Sequence, residues 1–217
     1  ELESRLDYIS RTVRTKWAEW QTILAGGVAC AGFAILNKFS LADSLVVLAA
    51  ASVGQFVRGR LNRRWLNQFG VAALASAAAC LVYLMLADLL TNTGLHTIHG
   101  PGYVASLLFL VPGFPMITSI LDMVRMDFTA GLSRAAYSFG LILAATMSAW
   151  MFSAATGLQP LPAQTVFPYP WAWLAYAVAT ACGVAGFAVI FNSPPRTVAW
   201  AAALGACGNL CRLALVS

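Results

Sequence analysis

Val111-Pro112-Gly113-Phe114-Pro115 lies inside an apolar run of membrane length, Gly102 to Val124. A helix that crosses a bilayer satisfies its backbone N–H and C=O groups within itself, because the hydrocarbon core holds no water. Pro112 and Pro115 carry no N–H, so the carbonyls of Leu108 and Val111 lose their helical partners. Gly113 adds backbone freedom between the prolines, and Val111 and Phe114, each preceding a proline, are pushed away from the helical region. Interrupted spans of this kind mark the binding sites of transporters. The alternative is a proline kink used only for packing.

Composition makes such a run one of several. The chain has 217 residues, 60% of them hydrophobic and 10% charged, with mean hydropathy +0.75. Soluble domains carry about 25% charged residues. The fold class is therefore all-α, a polytopic integral membrane protein. About seven spans can be read, each needing ~20 apolar residues. They run near 21–36, 43–57, 69–90, 102–124, 129–155, 171–191 and 197–216, with the fourth interrupted at Pro112-Gly113-Phe114-Pro115. The first two are short and are expected to recruit flanking residues. Stretches such as Ala72–Ala79 and Ala201–Gly208 suit close helix packing.

The net charge of +5 reads as topology and not as nucleic-acid binding. Arg5, Arg11, Arg14 and Lys16 precede span one, and Arg58, Arg60, Arg63 and Arg64 follow span two. Arg125 follows span four and Arg196 follows span six, whereas the opposite loops hold only Lys38. The positive-inside rule makes the N-terminus cytoplasmic and the odd span count puts the C-terminus outside. Residues 1–20 are expected to form a cytoplasmic amphipathic or linker helix, 21–157 a five-helix membrane domain, 158–170 an outer loop, and 171–217 the first two helices of a second, incomplete half. Glu1 reads as the start of a fragment.

No phosphate loop, catalytic triad or metal-ligand spacing stands out, so neither an enzyme, a metal nor a cofactor is expected. His96 and His99 fall in an outer loop, and the five cysteines lie in apolar runs with no disulfide or zinc spacing. A helix restarting after the break presents its N-terminal dipole to an anion such as a carboxylate. Pro112, Gly113, Pro115, Thr118 and Ser119 are the candidate substrate-binding residues. Thr118 and Ser119 could instead bond back to the preceding turn. Further along, Asp122 and Arg134 sit at depths where ionisable groups are rare unless paired or functional. An Asp122–Arg134 pair, with Arg125 and Asp127 at the water interface, would gate the inner mouth, relay a proton, or merely join two spans. Asp88 and Arg212 are weaker candidates that can snorkel.

These residues resemble the bacterial threonine/serine exporter family, including its split two-subunit relatives. The resemblance rests on Val111-Pro112-Gly113-Phe114-Pro115, then Asp122, Asp127, Gly131 and Arg134. A second block is Gly186-Phe187-Ala188-Val189-Ile190-Phe191-Asn192 with Pro194 and Arg196, followed by Gly205 and Arg212. The first block is similar to the larger half of the family and the second to the start of the smaller half, which together imply a fused form. Thr118 stands where the family usually has Asn. The resemblance implies a multi-pass inner-membrane secondary transporter that exports small amino acids, threonine- or serine-like, as a proton antiporter. A dicarboxylate such as succinate is the second substrate class it implies, and a non-transporting scaffold subunit is the third reading. Implied partners are a small carboxylate-bearing metabolite, the lipid bilayer, further helices of the same protein or a second subunit, and a homo-oligomer. Gly131, Asn192, Pro194 and Arg196 are expected to be structural.

Overall fold

A computed structural model describes residues 16–64, 66–94, 102–157 and 171–216, and every regular element among them is helical. The order is α1 (Glu19–Leu36), α2 (Leu41–Asn62), α3 (Gln68–Asn92), α4 (Gly102–Ala105), a 3-10 turn (Leu108–Leu110), α5 (Gly113–Val124), α6 (Phe128–Thr156), α7 (Trp171–Ile190) and α8 (Pro195–Val216). Six of these are long and apolar enough to cross a membrane. The segment Gly102–Leu110 joins Gly113–Val124 at a bend of 58°, and counted as one span this pair makes seven. The short first two spans do recruit their flanks: α1 begins at Glu19 and α2 runs on to Asn62. Residues 1–15, the loop bearing His96 and His99, and the connector 158–170 lie outside the described residues.

Helix α1 sits between α2 and α7, α3 packs on α2 and α6, and α5 packs on α6. Small residues set these distances. A Cβ on Gly32 of α1 would come 2.5 Å from the Ala179 carbonyl, and one on Gly186 of α7 would come 2.5 Å from the Ala25 carbonyl. Backbone therefore meets backbone across the α1–α7 seam, as the absence of side chains allows. Ala72, Ala75 and Ala79 bury one face of α3. The Ala201–Gly208 stretch behaves differently. A Cβ on Gly205 would meet Val184, but one on Gly208 would meet no other part of the described bundle within 4 Å, and α8 packs chiefly on α7.

Three turns share one device. Lys38, Met126 and Asn192 adopt left-handed φ values of 65°, 66° and 59°. In each, the next residue's N–H reaches back to the helix: Phe39 to Ala34, Asp127 to Asp122, and Ser193 to Ala188. This is the Schellman closure, which satisfies terminal carbonyls and reverses the chain tightly. Asn192 does more than turn. Its Oδ1 accepts the Lys16 N–H at 2.8 Å, and the neighbouring Ser193 carbonyl accepts the Trp17 indole N–H at 2.8 Å. The entry to α1 is thereby tied to the α7–α8 turn. The Pro194 carbonyl accepts the Val198 N–H at 3.0 Å, and Arg196 is exposed in the first turn of α8.

At this same end of the bundle, Glu19 opens α1 and pairs with Arg63 at 2.8 Å and Arg60 at 4.0 Å from the end of α2. The α1–α2 turn closes the opposite end with a capping box: Asp43 accepts from Ser40 N–H and Oγ–H at 3.3 and 2.7 Å, and Ser40 Oγ accepts the Asp43 N–H at 3.0 Å.

Candidate functional site: the broken span and its cavity

The interruption falls at the first of the two prolines. Helix α4 ends at Ala105, Ser106 and Leu107 form a turn, the 3-10 turn covers Leu108–Leu110, and Val111 and Pro112 are non-helical before α5 starts at Gly113. Gly113, Phe114 and Pro115 are the first residues of α5. Proline is tolerated there because first-turn N–H groups have no intrahelical acceptor. Phe114 therefore stays helical although a proline follows it.

The carbonyls expected to be freed are satisfied within the segment. Leu108 O accepts the Val111 N–H at 3.1 Å, and Val111 O accepts the Gly113 N–H at 2.9 Å across Pro112. With φ −81° and ψ 64°, Pro112 sits in an inverse γ-turn. Gly113 N–H is thus spent and Pro115 has none, so the new helix terminus offers fewer free donors than a proline-free start would. The positive charge at the break comes instead from a side chain.

That side chain is Arg58 of α2. Its Nη1 donates to the Phe109 carbonyl at 2.8 Å, inside the 3-10 turn. One turn earlier on the same face, Gly54 leaves room for the Phe109 ring: a Cβ there would stand 2.6 Å from Phe109 Cζ. The 3-10 turn is therefore seated on α2 by two contacts to one residue. Sequence reasoning grouped Arg58 with Arg60, Arg63 and Arg64 as an interfacial charge. The signal that separates it is register. Gly54 and Arg58 are four apart and share a helix face, whereas Arg60 lies 5.0 Å over the Phe56 ring and Arg63 pairs with Glu19.

Arg58, Pro112 and Pro115 line a cavity of about 120 Å³, together with Gln68 at the start of α3, Tyr137 of α6 and Phe191 just past α7. A water needs ~10–15 Å³ of such space, so the cavity admits a small solute. Gln68 is exposed and lies five residues beyond Arg63, which places the mouth at the arginine-rich end of the bundle. No acidic side chain of the described residues lines it. A groove of about 460 Å³ between α1, α2 and α7 is lined by residues such as Leu45, Leu48 and Val178 and suits acyl chains rather than a polar metabolite.

The remaining candidates fall outside the cavity. Thr118 bonds back to Phe114 and Pro115 carbonyls at 3.1 Å each. Ser119, 3% exposed, donates to the Gly131 carbonyl at 2.8 Å. Gly131 lets α5 and α6 touch, since a Cβ there would stand 2.7 Å from Met123 Cγ and 3.0 Å from the Ser119 carbonyl. Gly113 has only the Phe191 ring near it. Asp127 caps α6, accepting the Ala130 N–H at 3.2 Å. Arg134 Nη1 stands 2.6 Å from Asp122 Oδ2 across the α5–α6 hairpin. The structure thus brings Asp122 and Arg134 together, gives Ser119 and Gly131 to the same hairpin, and leaves Pro112 and Pro115 with Arg58 at the cavity.

The profile of a family described as "Putative threonine/serine exporter" matches residues 1–156. The "Probable succinate transporter subunit YjjP" of Escherichia coli (strain K12) is 30% identical over 144 residues, which is 66% of this chain and 55% of that protein. The protein of the same name from Klebsiella aerogenes is 31% identical over 145 residues, with the same coverage. The chain thus spans about half the length of the curated relatives it matches. No solved structure matches it. With the profile covering residues 1–156, α1 through α6 and the broken span among them, the chain belongs to the threonine/serine exporter family.

Proposed function

We propose that this chain forms the substrate-carrying part of a secondary transporter that exports a small carboxylate metabolite across the bacterial inner membrane. The observation that carries the reading is the broken span, which walls a cavity open at the arginine-rich end. By the positive-inside rule that end is cytoplasmic, so the cavity loads from the cytoplasm, as an exporter requires. Irregular backbone inside a bilayer is expected only where protein or a water-filled space receives it. Threonine- or serine-like amino acids are the leading substrates and proton entry the driving force. The Asp122–Arg134 pair acts as a gate at the inner mouth, where α5 and α6 must part if the cavity is to change sides. Further helices of the same protein or a second subunit complete the pathway.

Succinate is the second reading, favoured by the name of the relatives at 30 and 31% identity. The full-length parent protein, reconstituted in vesicles and loaded with either solute, separates the readings. Threonine counterflow without succinate counterflow supports the first and the reverse supports the second. Absence of both supports a scaffold role and sinks the transport reading.

A further inference from the structure

We propose that Arg58 is the carboxylate anchor of the cavity and that the site holds one carboxylate at a time. The inference rests on the transport reading above but names the group that recognises the substrate. A guanidinium carries five N–H donors in a rigid fork and keeps its charge at any accessible pH. Arg58 spends Nη1 on the Phe109 carbonyl and faces the cavity, where none of the described residues supplies a carboxylate. The acidic side chains found in ion pairs are committed to other arginines: Glu19 to Arg60 and Arg63, and Asp122 to Arg134. A partly buried cation with no counter-charge is costly, and a bound carboxylate removes that cost by bidentate hydrogen bonding.

A purely structural Arg58 would cap one carbonyl. One donor suffices for that, and a neutral amide could supply it without burying charge. The hydrogen bond to Phe109 has a second effect, because it fixes the guanidinium on the backbone that forms the break. Substrate binding and the shape of the fourth span are thereby joined through one residue. The rest of the polar lining is uncharged: the Gln68 amide and the Tyr137 phenol. They match the hydroxyl or amine end of a small monocarboxylate. A second carboxylate would find no second cation among the residues lining the cavity, so succinate would be held by one end only.

Binding of threonine, succinate, monomethyl succinate and threonine amide to the full-length protein in lipid nanodiscs tests this without requiring transport. The expected order is binding of the three carboxylates, no binding of the amide, and equal affinity for succinate and its monomethyl ester. Arg58→Lys weakens carboxylate binding and Arg58→Gln abolishes it. If the variants do not fold, the wild-type protein still decides the matter: threonine or succinate should slow modification of Arg58 by phenylglyoxal, mapped by mass spectrometry. Unchanged carboxylate affinity in Arg58→Gln, or no protection of Arg58 by either ligand, overturns the proposal. Succinate binding about tenfold tighter than its ester (~1.4 kcal/mol) overturns the single-carboxylate limit. Carboxylate binding at Arg58 with no flux in vesicles would instead count against the transport reading alone.

Discussion

Phe109 is held twice by one face of α2: its carbonyl lies 2.8 Å from Arg58 Nη1, and its ring fills the space that Gly54, one turn earlier, leaves open. A side chain at position 54 must displace the ring and with it the carbonyl that positions Arg58. Gly54→Val is therefore expected to cost ~1–3 kcal/mol through overpacking and to weaken carboxylate binding. Gly70 of α3 has nothing within 4 Å of its would-be Cβ. Gly70→Ala serves as the control, neutral or stabilising by ~0.5–1 kcal/mol. Thermal unfolding in detergent with a binding isotherm for each variant checks both.

The two prolines of the break differ in what they do. Pro115 occupies the first turn of α5, where its missing N–H breaks no bond, and the Val111 carbonyl it would have met already accepts the Gly113 N–H. Pro112 holds the γ-turn and constrains Val111 to extended backbone with ψ 121°. Pro112→Ala should let the fourth span straighten and abolish binding at the cavity, while Pro115→Ala, which keeps the γ-turn and only trims the cavity wall, should weaken binding less. Parallel binding measurements on the two variants decide this, and equal losses would contradict the assignment.

Most of the helical fold is legible in the chain because apolar length and flanking arginines carry it. Spans near 69–90 and 129–155 reappear as α3 and α6, extended by only one or two residues at each end. The break was legible as a residue pattern but not in its detail. Local rules count lost donors, yet a γ-turn and a 3-10 turn recovered the Leu108 and Val111 carbonyls. Arg58 was hidden for a different reason. An arginine near the end of a span looks interfacial in sequence, and only the seating of the 3-10 turn on α2 turns it inward. Ser119 follows the break closely in sequence, but its helix face points at Gly131.

At the α5–α6 hairpin the packing is tighter than the polar contact is strong. Gly131→Ala places a methyl 2.7 Å from Met123 Cγ, and should cost ~1–3 kcal/mol. Ser119→Ala removes one hydroxyl hydrogen bond between helices, worth ~0.6 kcal/mol in membrane proteins. It should leave carboxylate affinity unchanged. Melting temperatures for the pair test the ranking, and a loss of affinity in Ser119→Ala would return that hydroxyl to the site.

The Asp122–Arg134 pair should matter for traffic more than for stability. Neither side chain is enclosed by the bundle, Arg134 being 51% and Asp122 21% exposed. Asp122→Asn should shift unfolding little but raise passive leak of preloaded threonine or succinate from vesicles. The charge swap Asp122→Arg with Arg134→Asp should restore a tight vesicle. A swap as leaky as the single variant would show that the pair does not gate.

The central claim is that the fourth span is interrupted at Val111–Pro112 and that Arg58 of α2 is turned into the space beside the interruption. An experimental density map of the full-length protein in lipid nanodiscs, with threonine or succinate present, measures this directly. The account predicts a bend at Val111–Pro112, the Arg58 guanidinium on the Phe109 carbonyl, and ligand density against the free edge of that guanidinium. A continuous helix from Gly102 to Val124, with Pro112 facing lipid and Arg58 at the aqueous interface, would contradict it.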